Sequence, residues 1–437
     1  METWILQAGR LFEPLRRPRA ESTLDALVRE AASEDPQIVQ LGESFGFLLR
    51  LGRALLRFGL PAQRLEEALT RLAESLGLHA DCFSTPTALI VTLSDGYRRR
   101  TRVVRVEPGE TDLERLNALH GLVGRVERRE LSPLDASRRL DRILARPERY
   151  SNAVLVICYG LASAAASVLL GGRLHDIGPA AALGLFVGLL TRASPHAPNF
   201  ARILPAIAAA ACTFASAAFG TALPIQEPIL VLSAVIVLLP GFTLTVATME
   251  LATANVVSGT SRLIGALATL VQLGFGVALG HQLAEALPLV EVGRATPSPE
   301  WLVWVAYALA ALAFTVLLRA APRDLPAILL AAIVSVVGAR LGKLWLGPEL
   351  GALIGAIVIG VWSHVWARRF DKPTLLLLTP GILMLVPGSV GFLSVASMVE
   401  ADITGALQTG FRMLLIATSL AAGVLIATVA VPPRRAL

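Results

Sequence analysis

Two stretches of this sequence combine residue types that could bind a charged metabolite inside a membrane. In each stretch a Pro-Gly pair interrupts an apolar run, an acid follows, and an arginine comes twelve residues after the acid. Proline removes one backbone donor and clashes with the preceding turn, so a helix through either pair must kink or break. The two sets are Pro240, Gly241, Glu250 and Arg262, and then Pro387, Gly388, Glu400 and Arg412.

A helix broken within lipid exposes backbone groups that can do chemistry. Freed N–H groups at the new helix start attract an anion, and freed carbonyls attract a cation. Such a break is tolerated in a membrane only where it lines a cavity or packs against protein. The pattern therefore predicts a polar substrate site at the two breaks. The alternative interpretation is that both pairs are ordinary kinks and that the charges lie in loops.

The side chains that follow each break suit a zwitterion or a small acid. Arg262 could bind a carboxylate through charge-assisted hydrogen bonds. Glu250 could meet an ammonium group or carry a coupling proton. A free glutamate titrates at about pH 4.3, so a role as proton carrier requires burial that raises its pKa. Ser258 and Thr260 could add hydroxyl contacts, and Asn255 is a further candidate contact.

The elements that position these residues are apolar runs long enough to cross roughly 30 Å of hydrocarbon. The sequence predicts ten, at 153–170, 178–191, 203–220, 228–247, 262–281, 301–318, 325–340, 350–366, 374–398 and 407–431. Each must be helical, because lipid offers no partner for free backbone groups. The second run is short and could be re-entrant.

The ten spans divide into two halves that each contain one Pro-Gly set. We assign residues 151–290 to a first five-helix repeat and residues 300–437 to a second. An odd number of spans per repeat makes the second repeat inverted relative to the first. Most basic loop residues fall on the side of the amino terminus, which predicts that both termini are cytoplasmic.

The amino-terminal third has a different composition. Most of the 39 basic and 33 acidic residues lie in residues 1–150, where the two signs nearly cancel. Such a mixed-charge surface argues against nucleic acid as a partner. Arg10 and Glu13 interrupt the first apolar residues, so no secretory signal is expected. We predict a poorly ordered segment at 1–40 and a cytoplasmic α/β domain at 41–150.

The predicted α/β domain has an ααββαα order. Helices begin at Ser44 and after Pro61, and two strands at 87–94 and 100–106 are joined through Asp95-Gly96, a hairpin signal. A capping box of Thr111 and Glu114 opens the third helix, and Ser132-Pro133 opens the fourth.

No complete catalytic or metal-binding motif accompanies these elements. His79, Asp81, Ser84 and His120 are available, but no nucleophile elbow, phosphate loop or metal spacing surrounds them. The three cysteines are far apart in the sequence. We therefore predict a transporter and not an enzyme, with neither a metal nor a cofactor.

At these residues the chain resembles the bacterial threonine/serine exporter family. The resemblance runs from about Leu51 to the carboxyl terminus. In the amino-terminal part it rests on LGRALLRFGLPAQRLEEALTRLAESLGLHADCFSTPTALIVTL, TDLERLNALHGLVGRV and LSPLDASRRLDRIL. In the membrane part it rests on LLPGFTLTVATMELATANVVSGTSRL and LVPGSVGFLS.

The resemblance implies ten spans in two halves, a cytoplasmic amino-terminal domain, location in the bacterial inner membrane and export driven by the proton-motive force. The family's motif positions correspond to Pro240, Gly241, Glu250, Ser258, Gly259, Arg262, Pro387 and Gly388, whereas Glu400 and Arg412 rest on the internal repeat alone. Relatives whose halves are separate chains resemble a dicarboxylate exporter.

Our hypothesis from the sequence is a secondary transporter that exports threonine or serine. A dicarboxylate exporter is the nearest competing function, in which the two repeated arginines each hold one carboxylate and Glu250 is structural. A channel or membrane scaffold without coupled transport and a membrane-tethered enzyme are also compatible with the sequence. The sequence leaves the oligomeric state open, a homo-oligomer included.

Overall fold

The computed structural model describes residues 36–97, 99–285, 298–385, 388–399 and 402–432. Of the predicted disordered segment 1–40, only residues 36–40 are described, and they begin helix α1. Pro387 and Glu400, two residues of the predicted site, lie outside the described residues. The other nine lie within them.

The described amino-terminal region has the order ααβββαα. Its elements are α1 (Pro36–Arg57), α2 (Ala62–Ser75), β1 (His79–Thr85), β2 (Ala88–Ser94), β3 (Arg99–Arg105), α3 (Leu113–Glu127) and α4 (Pro133–Leu144). The strands form one antiparallel sheet in the order β1-β2-β3, with Val91 opposite both Cys82 and Arg102. The sheet therefore has one strand more than the ααββαα prediction.

The additional strand, β1, has a weak sequence signal. Its residues HADCFST include four polar side chains, and only Ser84 is fully buried. Such an edge strand forms because its backbone pairs with the neighbouring strand, and its own side chains need not alternate between apolar and polar. The predicted hairpin between β2 and β3 is confirmed, although of its two Asp-Gly residues only Gly96 has a positive φ. The loop is thus longer than a two-residue turn.

Both helices after the sheet begin with a side-chain cap. Ser132 accepts a hydrogen bond from the amide of Asp135, as predicted. The cap of α3 is Asp112, whose carboxylate accepts from the amide of Arg115 at 2.8 Å, so the predicted Thr111 capping box is wrong by one residue. Aspartate is as good an N-cap as threonine, and the local sequence offers both.

The rest of the described chain is almost entirely helical. The helices are α5 (Asn152–Leu169), α6 (Ile177–Ala193), α7 (Pro198–Gly220), α8 (Glu227–Ala234), α9 (Gly241–Ala252), α10 (Val256–Ala284), α11 (Glu300–Leu317), α12 (Leu325–Phe370), α13 (Leu375–Leu383), α14 (Gly388–Val399) and α15 (Ile403–Ala430). Helix α12 bends at Gly347, where φ is 83°, and its two arms are separate spans.

Among the described residues, nine helical segments are long and apolar enough to cross a membrane, and the count reaches ten when α8 and α9, which bend by 53°, are taken as one span. This upper count equals the ten spans predicted from apolar runs. The second, which could have been re-entrant, is long enough to cross at 20 residues, Leu174–Ala193. The chain is a multi-pass membrane protein.

One apolar core joins the amino-terminal region to the membrane helices. It runs without interruption from Leu48, Leu55 and Leu69 to Leu375–Leu378 of α13. Backbone bonds cross the same boundary, from the amide of Leu113 to the carbonyl of Leu318 at 3.0 Å. The tyrosine hydroxyl of Tyr150 donates to the carbonyl of Ala320 at 2.6 Å. We call this side of the helices, which includes Leu318 and Ala320, the docked face.

Ion pairs reinforce the docked face. Arg192 at the end of α6 and Arg319 just after α11 both pair with Glu110 and Glu148 of the amino-terminal region. Both arginine side chains are largely buried, which weakens screening by water and salt. Basic loop residues were predicted to lie on the same side of the membrane as the amino-terminal region. Two of them, Arg192 and Arg319, form ion pairs with that region directly.

Candidate functional site

The carboxylate of Glu250 is the most heavily bonded side chain of the predicted site. It lies at the end of α9 on the docked face and is 1% exposed. It accepts from the amide of Ala62 at 2.9 Å, from Ser258 Oγ at 2.8 Å and from Arg262 Nε at 3.0 and 3.2 Å. A carboxylate has about four acceptor positions, and these bonds occupy them.

The bond from Ala62 makes Glu250 a cap for a helix of the amino-terminal region. Ala62 is the first residue of α2, and the N-cap residue Pro61 offers no side-chain bond. The amides of a first helical turn lack partners within the helix and carry partial positive charge. Glu250 satisfies one of them from 188 residues away, so the end of the broken span and the start of α2 are held together.

Arg262 keeps donors available after it has bound Glu250. Its Nε is engaged, whereas its two terminal amino groups make no hydrogen bond to any residue that the structure describes. Its side chain is 18% exposed. The ion pair fixes the direction of the guanidinium, and the planar fork that remains suits a carboxylate.

Neighbouring residues shape the turn between α9 and α10. Asn255 precedes α10, and its amide nitrogen donates to the carbonyl and hydroxyl oxygens of Thr253, both at 3.3 Å. Gly259 lies so close to α9 that a Cβ atom would meet the carbonyl oxygen of Ala247 at 2.9 Å. The glycine thus lets the two helices approach until Ser258 and Arg262 reach Glu250.

The first predicted helix break meets Gly388, the described residue of the second Pro-Gly pair. A Cβ atom on Gly388 would lie 3.3 Å from both Cα and N of Gly241, and 3.2 Å from Cβ of Leu239. The first break therefore packs directly on the first residue of α14. Helix α9 also contacts α15, and α14 contacts α10, so each half-helix packs against the long helix of the other half.

The Glu250–Arg262 pair is separated from the breaks. Glu250 is nine residues from Gly241 along α9, or about 14 Å at 1.5 Å per residue. The carboxylate of Glu250 thus lies at the opposite end of α9 from the first break. That one substrate carboxylate binds both Arg262 and the helix start near Pro240 stays a prediction.

Arg412 in the second half forms an ion pair with an acid of α12, whereas Glu400, its counterpart in the repeat, lies outside the described residues. Its Nε lies 2.9 Å from Oε1 of Glu349, just after the bend in α12. Gly391 of α14 packs on Met413 and on Leu270 of α10. Since Leu270 is two turns beyond Arg262, the two arginines lie at different depths. Each is held by its own acid.

Two buried serines that the sequence analysis missed satisfy carbonyls ahead of the breaks. Ser335 Oγ donates to the carbonyl of Gly381 at 2.7 Å, and Ser163 Oγ approaches that of Ala234 at 3.4 Å. Both serines are fully buried. Ala234 precedes Pro240 by six residues, as Gly381 precedes Pro387. A further Pro-Gly pair, Pro380-Gly381, is the sequence feature that could have indicated the site bonded by Ser335.

The predicted catalytic candidates include one hydroxyl held by an acid. Ser84 Oγ donates to Glu66 Oε1 at 2.9 Å, and the Ser84 amide donates to the same oxygen at 2.7 Å. Burial raises the pKa of Glu66, the bonds from Ser84 lower it, and the charge of Glu250 raises it further. The geometry ties α2 to β1 and does not activate Ser84 through a histidine.

The raised pKa of Glu66 predicts a pH dependence of stability. The folded state holds this proton more tightly than the unfolded chain, so stability falls as pH rises from about 4.5 through the folded pKa. Glu66→Gln removes this titration. We expect a flatter profile of unfolding temperature against pH and equal or greater stability at neutral pH. Glu67→Gln is the matched charge control, and profiles of identical slope for wild type and Glu66→Gln would contradict the assignment.

Comparison with known families finds two models that divide the chain. One described as "Putative threonine/serine exporter" matches residues 46–284, and one described as "Threonine/Serine exporter, ThrE" matches residues 303–430. The first includes Glu250 and Arg262, and the second includes Gly388 and Arg412.

Three similar curated proteins from yeasts carry the name pheromone-regulated membrane protein 10. That of Eremothecium gossypii is 25% identical over 397 residues, which cover 86% of this chain and 53% of that protein. Those of Candida glabrata and Debaryomyces hansenii are 24% and 25% identical over 91% and 79% of this chain, and 54% and 36% of their own lengths. This chain thus spans about half or less of these relatives. No solved structure matches it.

Proposed function

Because the chain belongs to the threonine/serine exporter family, we propose that it is a secondary active carrier that exports threonine or serine. The observation that best supports this proposal is the contact between the two helix breaks, with Gly388 against Gly241. Broken helices that meet inside a membrane protein leave backbone groups facing a shared site. A carrier needs such a site to be reachable from each side in turn.

The packing of the two halves supports alternating access by inverted repeats. Gly276 of α10 packs on Ala206 and Ala209 of α7, and Gly423 of α15 packs on Leu353 and Ala356 of α12. The three residues of the second contact each lie 147 residues after the matching residue of the first. Gly423 corresponds to Gly276, Leu353 to Ala206 and Ala356 to Ala209. Pro240 and Pro387 have the same offset. Two equivalent units that pack across one site can rock against each other.

We assign the docked face to the cytoplasm. Arg192, Arg319 and Lys372 all lie there, and basic residues are enriched in cytoplasmic loops. On this assignment Glu250 and Arg262 lie at the inner end of the first broken span, where an exported solute enters. Location in a bacterial inner membrane stays a prediction, since the relatives named above come from yeasts.

Arg262 is the residue that we assign to the substrate carboxylate. Its free terminal amino groups can donate two parallel bonds, and Glu250 acts as the positioning residue that orients them. The sequence analysis also assigned Glu250 one of two roles, to bind the ammonium group of the substrate or to carry the coupling proton. Both roles require Glu250 to lose donors first, because Ala62, Ser258 and Arg262 already occupy it. Coupling to protons is therefore proposed to accompany release of α2.

Transport by purified protein tests this assignment. Proteoliposomes loaded with radiolabelled threonine should release it when a pH gradient is imposed, and Arg262→Gln should slow release at least about tenfold through loss of the charge-assisted bonds. Arg202→Gln removes an exposed arginine from the start of α7 and should leave the rate unchanged. Threoninol, which lacks the carboxylate, should not compete.

The same measurement separates the competing functions. Wild-type flux in Arg262→Gln together with competition by threoninol would refute the carboxylate role. Competition by succinate and not by serine would identify a dicarboxylate exporter instead. Flux that ignores the pH gradient would indicate a channel.

A further inference from the structure

A groove between α3 and α4 is lined by arginines and lies outside the transport machinery. Its volume is about 510 Å³, and its floor is apolar, formed by Ala118, Leu122 and Ile143. The remaining lining residues are Gly121, Arg125, Arg139, Arg142 and Arg146. Four of the eight lining residues are thus permanently charged, and none is acidic.

Three acids close to this groove in sequence are paired with arginines, most of which lie outside the groove. Asp141 binds Arg50 at 3.1 Å, and Asp135 lies 3.5 Å from Arg138. Glu130 pairs with Arg128 at 2.6 Å and also with Arg125 at 3.4 Å. Asp141 and Asp135 therefore neutralise arginines outside the groove. Glu130 is shared between Arg128, outside the groove, and Arg125, within it.

Three arginines of the groove keep their charge uncompensated. Arg139, Arg142 and Arg146 form no ion pair with any residue in the described ranges. Arg146 only helps to lower the pKa of Glu114, whose main partner is Arg149. Arginine stays protonated at every physiological pH, so the repulsion among these groups cannot be relieved by loss of a proton. A bound anion would relieve it.

The arrangement favours one class of anion. Guanidinium groups present planar forks of N–H donors that match the oxygens of a phosphate and bind them in pairs. Three such forks that line one groove beside apolar side chains suit a group with several anionic oxygens and an attached apolar or ring portion. A concave basic surface also concentrates anions through its potential.

We propose that this groove binds a phosphate-bearing anion. Two sources share this chemistry, an anionic lipid headgroup and a free phosphate compound. The groove is close to the membrane, because Arg146 is six residues before α5 and Tyr150 between them bonds to Ala320. The site stands independently of the transport proposal, since none of its residues contacts Glu250, Arg262 or the breaks.

The experiment uses the full chain in nanodiscs and two probes. In phosphatidylcholine discs, inorganic pyrophosphate is titrated and followed by calorimetry and by hydrogen exchange in Leu113–Glu127 and Pro133–Leu144. In a second arm no pyrophosphate is added, and exchange in discs that contain phosphatidylglycerol is compared with exchange in phosphatidylcholine discs. Arg139→Gln with Arg142→Gln is the test variant. Arg128→Gln with Arg138→Gln removes the same charge from paired arginines outside the groove.

Wild-type protein should show slower exchange of α3 and α4 with pyrophosphate, with phosphatidylglycerol or with both. Protection by pyrophosphate assigns the site to a free ligand, and protection by phosphatidylglycerol alone assigns it to a headgroup. The test variant should bind at least about tenfold more weakly, whereas the control variant should stay within about twofold of wild type. Equal unfolding temperatures of the two variants exclude misfolding. The proposal is overturned if neither probe protects the groove, or if both variants lose binding equally.

Discussion

Gly388→Leu is expected to abolish threonine release while the protein still folds. A Cβ atom at this position would meet Gly241 and Leu239 at 3.2 to 3.3 Å, and a leucine carries three more carbons into the same contact. The breaks must then separate, and the backbone groups that face the shared site move with them. Overpacking of this kind typically costs about 1–3 kcal/mol, which a membrane helix bundle can tolerate. We expect a loss of transport of about a hundredfold or more.

The matched control for this change is Gly265→Leu. Gly265 lies in α10, another membrane helix, and its Cβ position has open space. Transport by Gly265→Leu should therefore stay close to that of wild type, and both variants should elute as single species in size-exclusion chromatography. Near-normal release by Gly388→Leu would show that the contact between the breaks has no part in transport.

The Pro-Gly breaks could be predicted because their cause is local. Proline lacks the backbone donor that a helix interior needs, and α9 begins at Gly241, directly after Pro240. The hairpin at Gly96 and the cap at Ser132 were predictable for the same reason. In each case the residue that determines the structure and the structure itself are neighbours in the chain.

The partners of Glu250 could be predicted only in part. The sequence placed Arg262 and Ser258 in the same candidate site as Glu250 but gave each a separate contact with the substrate, whereas the structure bonds both to Glu250. The amide of Ala62 belongs to a region that the sequence treats as separate, so nothing in the membrane half indicates it. Strand β1 was missed for a similar reason. Backbone pairing with β2 stabilises it, whereas its own side chains show no strand pattern.

The contact between Glu250 and Ala62 also changes the role of the amino-terminal region. In the sequence analysis that region had no link to the substrate site. In the structure its helix α2 begins on the carboxylate that orients Arg262. Movement of α9 during transport must either carry α2 along or break this bond. The region is thereby positioned to sense or to restrain the inner end of the broken span.

Glu250→Ala should consequently be among the most destabilising single changes in this chain. It leaves Arg262 without its counter-charge and the first amide of α2 without its cap. Removal of one partner of a buried ion pair typically costs about 3–5 kcal/mol. We expect a comparable loss in unfolding free energy, together with faster hydrogen exchange in the first turn of α2. Glu250→Gln keeps an acceptor for Ala62 and should lose less.

A double-mutant cycle distinguishes the ion pair from the cap. Glu250→Ala with Arg262→Ala removes both charges, so its cost should fall well below the sum of the two single changes. Glu285→Ala, at the exposed end of α10, is the control for loss of an acid and should change stability by less than about 0.5 kcal/mol. If Glu250→Ala were as stable as Glu285→Ala, the hydrogen bonds that converge on Glu250 would not hold α2 to the membrane helices. The coupling between the amino-terminal region and the broken span would then need another origin.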